Sequence, residues 1–319
     1  MRRHVRTRDV QLEARVSHDR LLDRDRLLVG PPRVQRLLTR SHDIIAANTW
    51  LLSELPVLIV AVTTALITPL ALAVAAVPRA LRLAAWPAGV IASLGLVAVE
   101  PGVLATISVA PYAAVAVIAG LLGLRRLVAA PRSASRVALA VGLVFVPAAT
   151  AWLLAYQAGY ALLGYPPFWV LLTAAHFHVA GVALLIIVGR ISHGRGRLGA
   201  AVALGCVLSV PLTAAGIYGP RSLEVGAALC MAASAGGAGY LLVTTRGNVW
   251  LRVAGALLVV TMVLAGAFAL RDHGTAVALF GLDPLASMII AHGVPNALLV
   301  VLVALLALVR TPPPDELSC

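Results

Sequence analysis

Two histidines stand near the middle of an apolar stretch that is long enough to cross a bilayer. The stretch is LLTAAHFHVAGVALLIIVG, residues 171–189, and the histidines are His176 and His178. A hydrocarbon core of about 30 Å is spanned by a helix of about 20 apolar residues. Imidazole nitrogens cost free energy in hydrocarbon unless they are hydrogen-bonded. Both side chains are therefore expected to face protein, as groups that bind a ligand, proton or metal or as satisfied structural histidines.

The spacing of this pair limits what the two side chains can do together. Residues two apart on a regular helix are separated by about 200° around the axis. His176 and His178 therefore cannot both reach one metal ion from an undistorted helix. Either each histidine has its own partner, or the helix is distorted at this point.

A second group of polar residues lies in the last apolar stretch of the chain. His292 has Asn296 one helical turn further on, and these residues are expected to share an inward face. Pro295 has no N–H, which frees the Ala291 carbonyl from its usual helical partner, so this carbonyl needs another donor or lines a polar cavity. Glu224 lies near the start of an earlier apolar stretch. Two explanations for this carboxylate are open: it takes part in the site, or it pairs with Arg221 and is favoured by the dipole of its helix.

The composition indicates an all-α, polytopic membrane protein. Hydrophobic residues make up 61% of the 319-residue chain and charged residues 12%, about half the charged fraction of a soluble domain. All 25 basic residues are arginines, and they lie in short loops and in a tail rather than along one face. This distribution argues against nucleic acid as a binding partner and predicts that the protein's partner is the lipid bilayer.

Nine spans are predicted, separated by short loops that contain proline, glycine or arginine. Residues 1–43 form a basic tail that is expected to be disordered or to lie on the membrane surface. Residues 44–311 form the transmembrane domain, and residues 312–319 form a short polar tail. The spans are 55–77, 83–99, 102–124, 137–158, 167–189, 198–218, 222–244, 249–270 and 285–309.

The loop charges predict how the spans are oriented. Twelve arginines fall in one set of alternate loops or just after the last span, and two fall in the opposite set. The positive-inside rule then places the carboxyl end in the cytoplasm of a cell-membrane protein. Nine crossings place the arginine-rich amino end outside, which leaves three explanations open: a translocated tail, a re-entrant segment or a start further downstream.

The predicted depth of each polar group in the membrane indicates how these groups could form one site. Counted from the outer ends, Glu224 lies near the surface, His292 about 10 Å deep, and His176 and His178 about 15 Å deep. If these spans are neighbours, the groups form one funnel that is open to the outside. A bound metal would take His176, His178 and His292 as ligands, and Glu224 and Asn296 would complete a site for a ligand or a proton.

Three stretches resemble the YndJ-like family of bacterial membrane proteins. LTAAHFHVAGVAL (172–184) is similar to that family's His-Phe-His signature, GIYGPRSLEVGAAL (216–229) to its Leu-Glu stretch, and MIIAHGVPNAL (288–298) to its His-Gly…Asn-Ala motif. The similarity in order and spacing covers about residues 54–309. The resemblance implies a membrane protein without an established substrate and singles out His176, His178, Glu224, His292 and Asn296.

A weaker resemblance is to the helix of haem–copper oxidases in which His-Phe-His binds two haems, although no copper-site cluster accompanies it here. Three functional hypotheses follow: a site that binds or moves a small solute, a proton or a transition metal; a haem-binding redox protein; or a structural membrane protein. An enzyme is not favoured, because the chain has no nucleophile elbow, HExxH or P-loop motif.

Overall fold

The structure is a computed structural model that describes residues 54–129, 133–218, 220–270 and 284–311, all within one compact unit. These residues form nine long apolar helices and no strand, which confirms the predicted all-α fold and the nine spans. The predicted tails, residues 1–43 and 312–319, lie outside the described residues. The helices are α1 (Glu54–Val74), α2 (Arg79–Ala98), α3 (Val103–Ala129), α4 (Ala134–Gln157), α5 (Pro167–Ile191), α6 (Gly196–Gly216), α7 (Arg221–Val243), α8 (Val249–Leu270) and α9 (Leu285–Val309).

Each helix is long and apolar enough to cross a bilayer, with a mean hydropathy between 1.5 and 2.5. A helix satisfies its own backbone hydrogen bonds, so it is the form that such a segment takes in lipid. Prolines inside the helices do not end them. The shortest predicted span is continuous through Pro87, and α3 and α4 continue through Pro111 and Pro147.

The helix that carries the two histidines is the centre of the bundle. In α5, 78% of the most apolar window is buried inside the protein, against 28% to 67% in the other helices. It packs against α4, α6, α1 and α9. The least buried helix is α8, with 28% of its window buried, and its Val260 and Val263 are exposed on the outside of the bundle.

Glycines set the closest helix contacts. A side chain at Gly89 of α2 would collide with the Thr64 carbonyl of α1. Gly239 of α7 and Gly255 of α8 each lie directly against the other's carbonyl oxygen. These contacts let backbones approach where lipid supplies no hydrophobic driving force between helices.

Arginine hydrogen bonds show which helix ends lie on the same side of the bundle. Arg126, near the end of α3, donates to the carbonyls of Ala75 and Ala76 at 2.7 and 3.1 Å, just beyond α1. Arg190, near the end of α5, donates to Val74 at 3.1 Å and to Thr311 at 3.2 Å. We call this side, with the connections 75–78, 192–195 and 244–248, the Arg-rich face, and the opposite side the Arg-poor face.

Candidate functional site

Three helices depart from regular α-helical winding where the polar residues lie. α1 is π-helical over Thr63–Ile67, α5 over Phe177–Leu184, and α9 over Ile289–Gly293 and Pro295–Val301. The π-helical part of α5 contacts those of α1 and α9. Such windings are rare and are often found at functional sites. Of the two explanations that the spacing of His176 and His178 left open, a distorted helix is therefore present.

His178 belongs to a closed hydrogen-bond network between α5, α3 and α1. Its Nδ1 lies 2.8 Å from the Ala174 carbonyl, which can only accept, so Nδ1 carries a proton. Its Nε2 lies 3.0 Å from the Tyr112 hydroxyl, and that hydroxyl lies 3.0 Å from Oγ1 of Thr68. His178, Tyr112 and Thr68 are fully buried. Because both ring nitrogens are hydrogen-bonded, His178 has no lone pair free for a ligand.

His176 does not belong to this network. Its Nε2 is shielded from solvent and has no hydrogen-bond partner among the described residues. The ring stands edge-on to Phe177 and lies within range of a direct electrostatic interaction with His292 on α9. A shielded nitrogen without a partner costs about 1–3 kcal/mol. Nε2 of His176 is therefore an unused donor or acceptor inside the protein.

His292 lies in a second network, which joins α9 to α8. Its Nδ1 is 3.1 Å from the amide nitrogen of Asn296 and 3.2 Å from the Thr261 carbonyl. Oδ1 of Asn296 accepts a hydrogen bond from the Thr261 hydroxyl at 2.7 Å. The predicted alignment of His292 with Asn296 is thus present as a direct contact. Nε2 of His292 makes no hydrogen bond within the described part of the chain.

The structure therefore separates the three histidines into a pair and a single residue. His176 lies close enough to His292 for an electrostatic interaction, whereas His178 is hydrogen-bonded to Tyr112. Among the described residues no group of three or more His, Cys, Asp or Glu side chains could hold a metal ion. The hypothesis of one metal bound by His176, His178 and His292 has no support in this geometry, and haem ligation through Nε2 of His178 would break its hydrogen bond to Tyr112.

Glu224 does not extend either network. It lies in the first turn of α7, and its carboxylate is 2.9 Å from the Arg221 guanidinium. Both side chains are more than 40% exposed. The pairing of Glu224 with Arg221 that the sequence offered as one explanation is what the structure has.

Sequence reasoning missed three members of the two networks: Tyr112, Thr68 and Thr261. Threonines are common in apolar helices, where they return a hydrogen bond to a carbonyl three or four residues back. Tyr112 could have been identified from the sequence. Tyrosines of membrane proteins concentrate near the interface, whereas this one lies nine residues into α3. A phenol at that depth requires a buried partner.

A cavity of about 320 Å³ lies beside the histidine helix toward the Arg-poor face. Aromatic side chains from three segments form much of its wall, with the ring centroids of Trp152 and Phe177 6.4 Å apart and those of Trp152 and Tyr165 6.1 Å apart. Thr173 and Tyr165 bring hydroxyl groups to the lining, and that of Thr173 is already donated to the Trp169 carbonyl. The lining residues are Trp152, Leu163, Tyr165, Thr173, Phe177, Ala214 and Ala215.

Nine apolar helices around buried polar networks define a multi-pass α-helical membrane protein. The family model of the YndJ-like proteins matches residues 58–300, and the chain belongs to that family. The match includes all five site residues predicted from the sequence. Searches of the curated proteins and of the solved structures found no match.

Proposed function

We propose that this protein binds and transfers protons at the His176–His292 pair inside the membrane. The observation that carries the proposal is the shielded, unpartnered Nε2 of His176 within electrostatic range of His292. Imidazole is the side chain that gains and loses a proton most readily near neutral pH. Ionisable groups inside a membrane are costly, and those that persist mark ion and proton pathways.

The depth of the pair supports a pathway from one face. His176 is nine residues from the start of α5, and His292 is seven residues from the start of α9, both counted from the Arg-poor face. At 1.5 Å per residue the pair lies about 10–14 Å below that face. A proton would enter from this side, add to an imidazole nitrogen lone pair and leave the ring charged until it is released.

The opposite end of the bundle is closed by contacts that would have to change for release. Between Thr68 and the Arg-rich face, α1 presents the buried side chains of Leu70 and Leu72. Beyond them Arg126 and Arg190 hold the last carbonyls of α1. The π-helical windings of α1, α5 and α9 supply helices whose pairing can be rearranged. The site is thus a proton-binding position exposed to one side at a time.

The orientation and location belong to the same proposal. The loop arginines favour the Arg-rich face as the cytoplasmic side of the cell membrane. The pair would then load from outside. The exposed apolar side chains of α2 and α8, such as Leu94, Val97, Val260 and Val263, would contact the lipid.

Proton flux into vesicles tests the proposal directly. The full chain is reconstituted into liposomes that contain a pH-sensitive dye, and a potassium diffusion potential drives proton entry. We expect wild-type flux well above that of protein-free vesicles, and at least a tenfold loss in His176→Ala and in His292→Ala. His193→Ala, which alters a histidine in a loop at the Arg-rich face, is the matched control and should retain wild-type flux.

Two results would reject the proposal. Wild-type vesicles that acidify no faster than empty ones would exclude proton transfer under this driving force. Wild-type flux in folded His176→Ala and His292→Ala proteins would show that the protons take another route. Insertion and folding of each variant are checked by its elution volume and helical content in detergent.

A further inference from the structure

The cavity beside α5 has a lining that differs from the rest of the protein. Three of its seven lining residues are aromatic, Trp152, Tyr165 and Phe177, whereas aromatic residues make up 5% of the chain. The buried core elsewhere consists mainly of alanine, valine, leucine and isoleucine, which would suffice to enclose an aliphatic chain. The concentration of rings at this cavity therefore indicates a ligand that interacts with aromatic faces and edges.

The aromatic side chains form a connected row. The ring centroid of Trp152 lies 6.1 Å from that of Tyr165 and 6.4 Å from that of Phe177. Phe177 is also stacked on Phe145, with 5.4 Å between centroids and 20° between the ring planes. Aromatic rings attract one another when their centroids are about 4.5–7 Å apart in offset or edge-on arrangements. A further ring in the cavity would extend this row.

The size and the charge of the lining define the ligand further. An apolar cavity of about 150 Å³ is enough for one benzene molecule. At about 320 Å³, the cavity beside α5 has room for two fused rings. None of its lining residues in the described part of the chain carries a charge. The ligand is therefore neutral, because an unpaired charge in apolar surroundings is strongly disfavoured.

Thr173 adds one directional requirement. Its hydroxyl belongs to the lining and donates its proton to the Trp169 carbonyl at 2.7 Å. A hydroxyl has one proton and two acceptor lone pairs. With the proton already donated, Thr173 can only accept a hydrogen bond from a ligand. A ligand that matches this group brings an N–H or an O–H.

We infer that this cavity binds a neutral, flat molecule of two fused aromatic rings with one hydrogen-bond donor, the chemistry of an indole or a naphthol. Its rings contact Trp152 and Phe177, and Thr173 accepts its donor. Neither His176 nor His292 is among the lining residues. Binding at this site therefore does not depend on the proposed proton transfer.

Fluorine NMR with 5-fluoroindole tests the inference. The full chain is placed in lipid nanodiscs and titrated with the probe, and empty nanodiscs measure how much of it simply enters the lipid. We expect saturable broadening of the fluorine signal only with the protein. Naphthalene should displace the probe, whereas decalin, which has a similar size but no aromatic faces, should not.

A second probe and two substitutions test the role of Thr173. The probe 5-fluorobenzofuran has an oxygen in place of the indole N–H, so we expect it to bind about fivefold more weakly, the typical effect of one neutral hydrogen bond. Thr173→Val keeps the shape of the side chain and removes the acceptor, so both probes should bind it equally. Thr173→Ser keeps the hydroxyl and should restore the preference.

A bulky side chain in the lining should block the site. Ala215 lines the cavity at an exposed position of α6, so Ala215→Phe should weaken binding of both probes at least tenfold. Ala201→Phe is the matched control, because Ala201 is also exposed and lies about 21 Å away along the same helix. It should bind both probes as wild type does.

Four results would overturn the inference. They are broadening no greater than with empty nanodiscs, equal affinity of wild type for the two probes, displacement by decalin as effective as by naphthalene, and wild-type affinity in Ala215→Phe. Elution volume and helical content in detergent verify that each variant is folded.

Discussion

The Tyr112 hydroxyl on α3 lies 3.0 Å from Nε2 of His178 on α5, a contact that joins residues 66 positions apart in the chain. The two rings are also nearly parallel, with their centroids 6.0 Å apart. Together with Thr68 this contact ties three helices at mid-membrane depth. It leaves His178 without a free ring nitrogen, whereas Nε2 of His176 and Nε2 of His292 make no hydrogen bond among the described residues.

Tyr112→Phe should destabilise the protein. The substitution keeps the ring but removes the hydroxyl, which leaves Nε2 of His178 buried without a partner at a cost of about 1–3 kcal/mol. Thermal unfolding in detergent, followed by helical content, measures the effect as a lower midpoint. Tyr240→Phe is the control, because that side chain is 54% exposed and should unfold at the wild-type temperature. Equal midpoints for all three proteins would contradict the network.

The two histidines of the signature should respond in opposite ways to leucine. His178→Leu breaks two buried hydrogen bonds, so we expect a loss of about 1–3 kcal/mol. His176→Leu removes a nitrogen that had no partner, so we expect an unfolding midpoint at or above that of wild type together with a loss of proton flux. A residue that is retained at a cost in stability is typical of a functional site. Destabilisation of similar size in both variants would argue against this distinction.

Arg126→Lys should loosen the end of α1. The guanidinium donates to two successive carbonyls, and an ammonium cannot reproduce that planar fork. Hydrogen bonds from charged groups are worth about 1.5–3 kcal/mol each, so losing one of the two should lower the unfolding midpoint. Faster amide hydrogen exchange confined to the last turn of α1 would locate the change. Arg125→Lys, at an exposed position on the same helix, should have no effect.

Glu224→Gln should change little. The carboxylate pairs with Arg221 at a position more than 40% exposed, where such pairs contribute about 0–1 kcal/mol. We expect an unfolding midpoint within a degree or two of wild type and unchanged proton flux. A large loss of proton flux in a folded Glu224→Gln protein would show that this carboxylate belongs to the proton pathway.

The sequence was sufficient for the fold because each span must be long and apolar on its own. It also predicted contacts within one helix, such as His292 with Asn296 and Arg221 with Glu224, since helical spacing fixes which residues are neighbours. These features depend on local geometry. They need no knowledge of how the helices are arranged.

The partners of His178 could not be predicted in this way. Whether its ring meets Tyr112 or His292 depends on which helices flank α5 and on which side of α5 each of them packs. Threonines such as Thr261 give no distinct signal in an apolar sequence. The division of three histidines into a pair and a single residue is therefore a product of tertiary packing.

The π-helical winding of α5 also constrains the length of this segment. Pairing with the fifth residue instead of the fourth takes up more chain per turn than an α-helix does. Deleting one residue between Phe177 and Leu184 while the π-helical winding is kept would rotate everything after it about the helix axis. Arg190 would then swing away from the Val74 carbonyl. In this family, insertions and deletions within the His-Phe-His helix should be far rarer than substitutions.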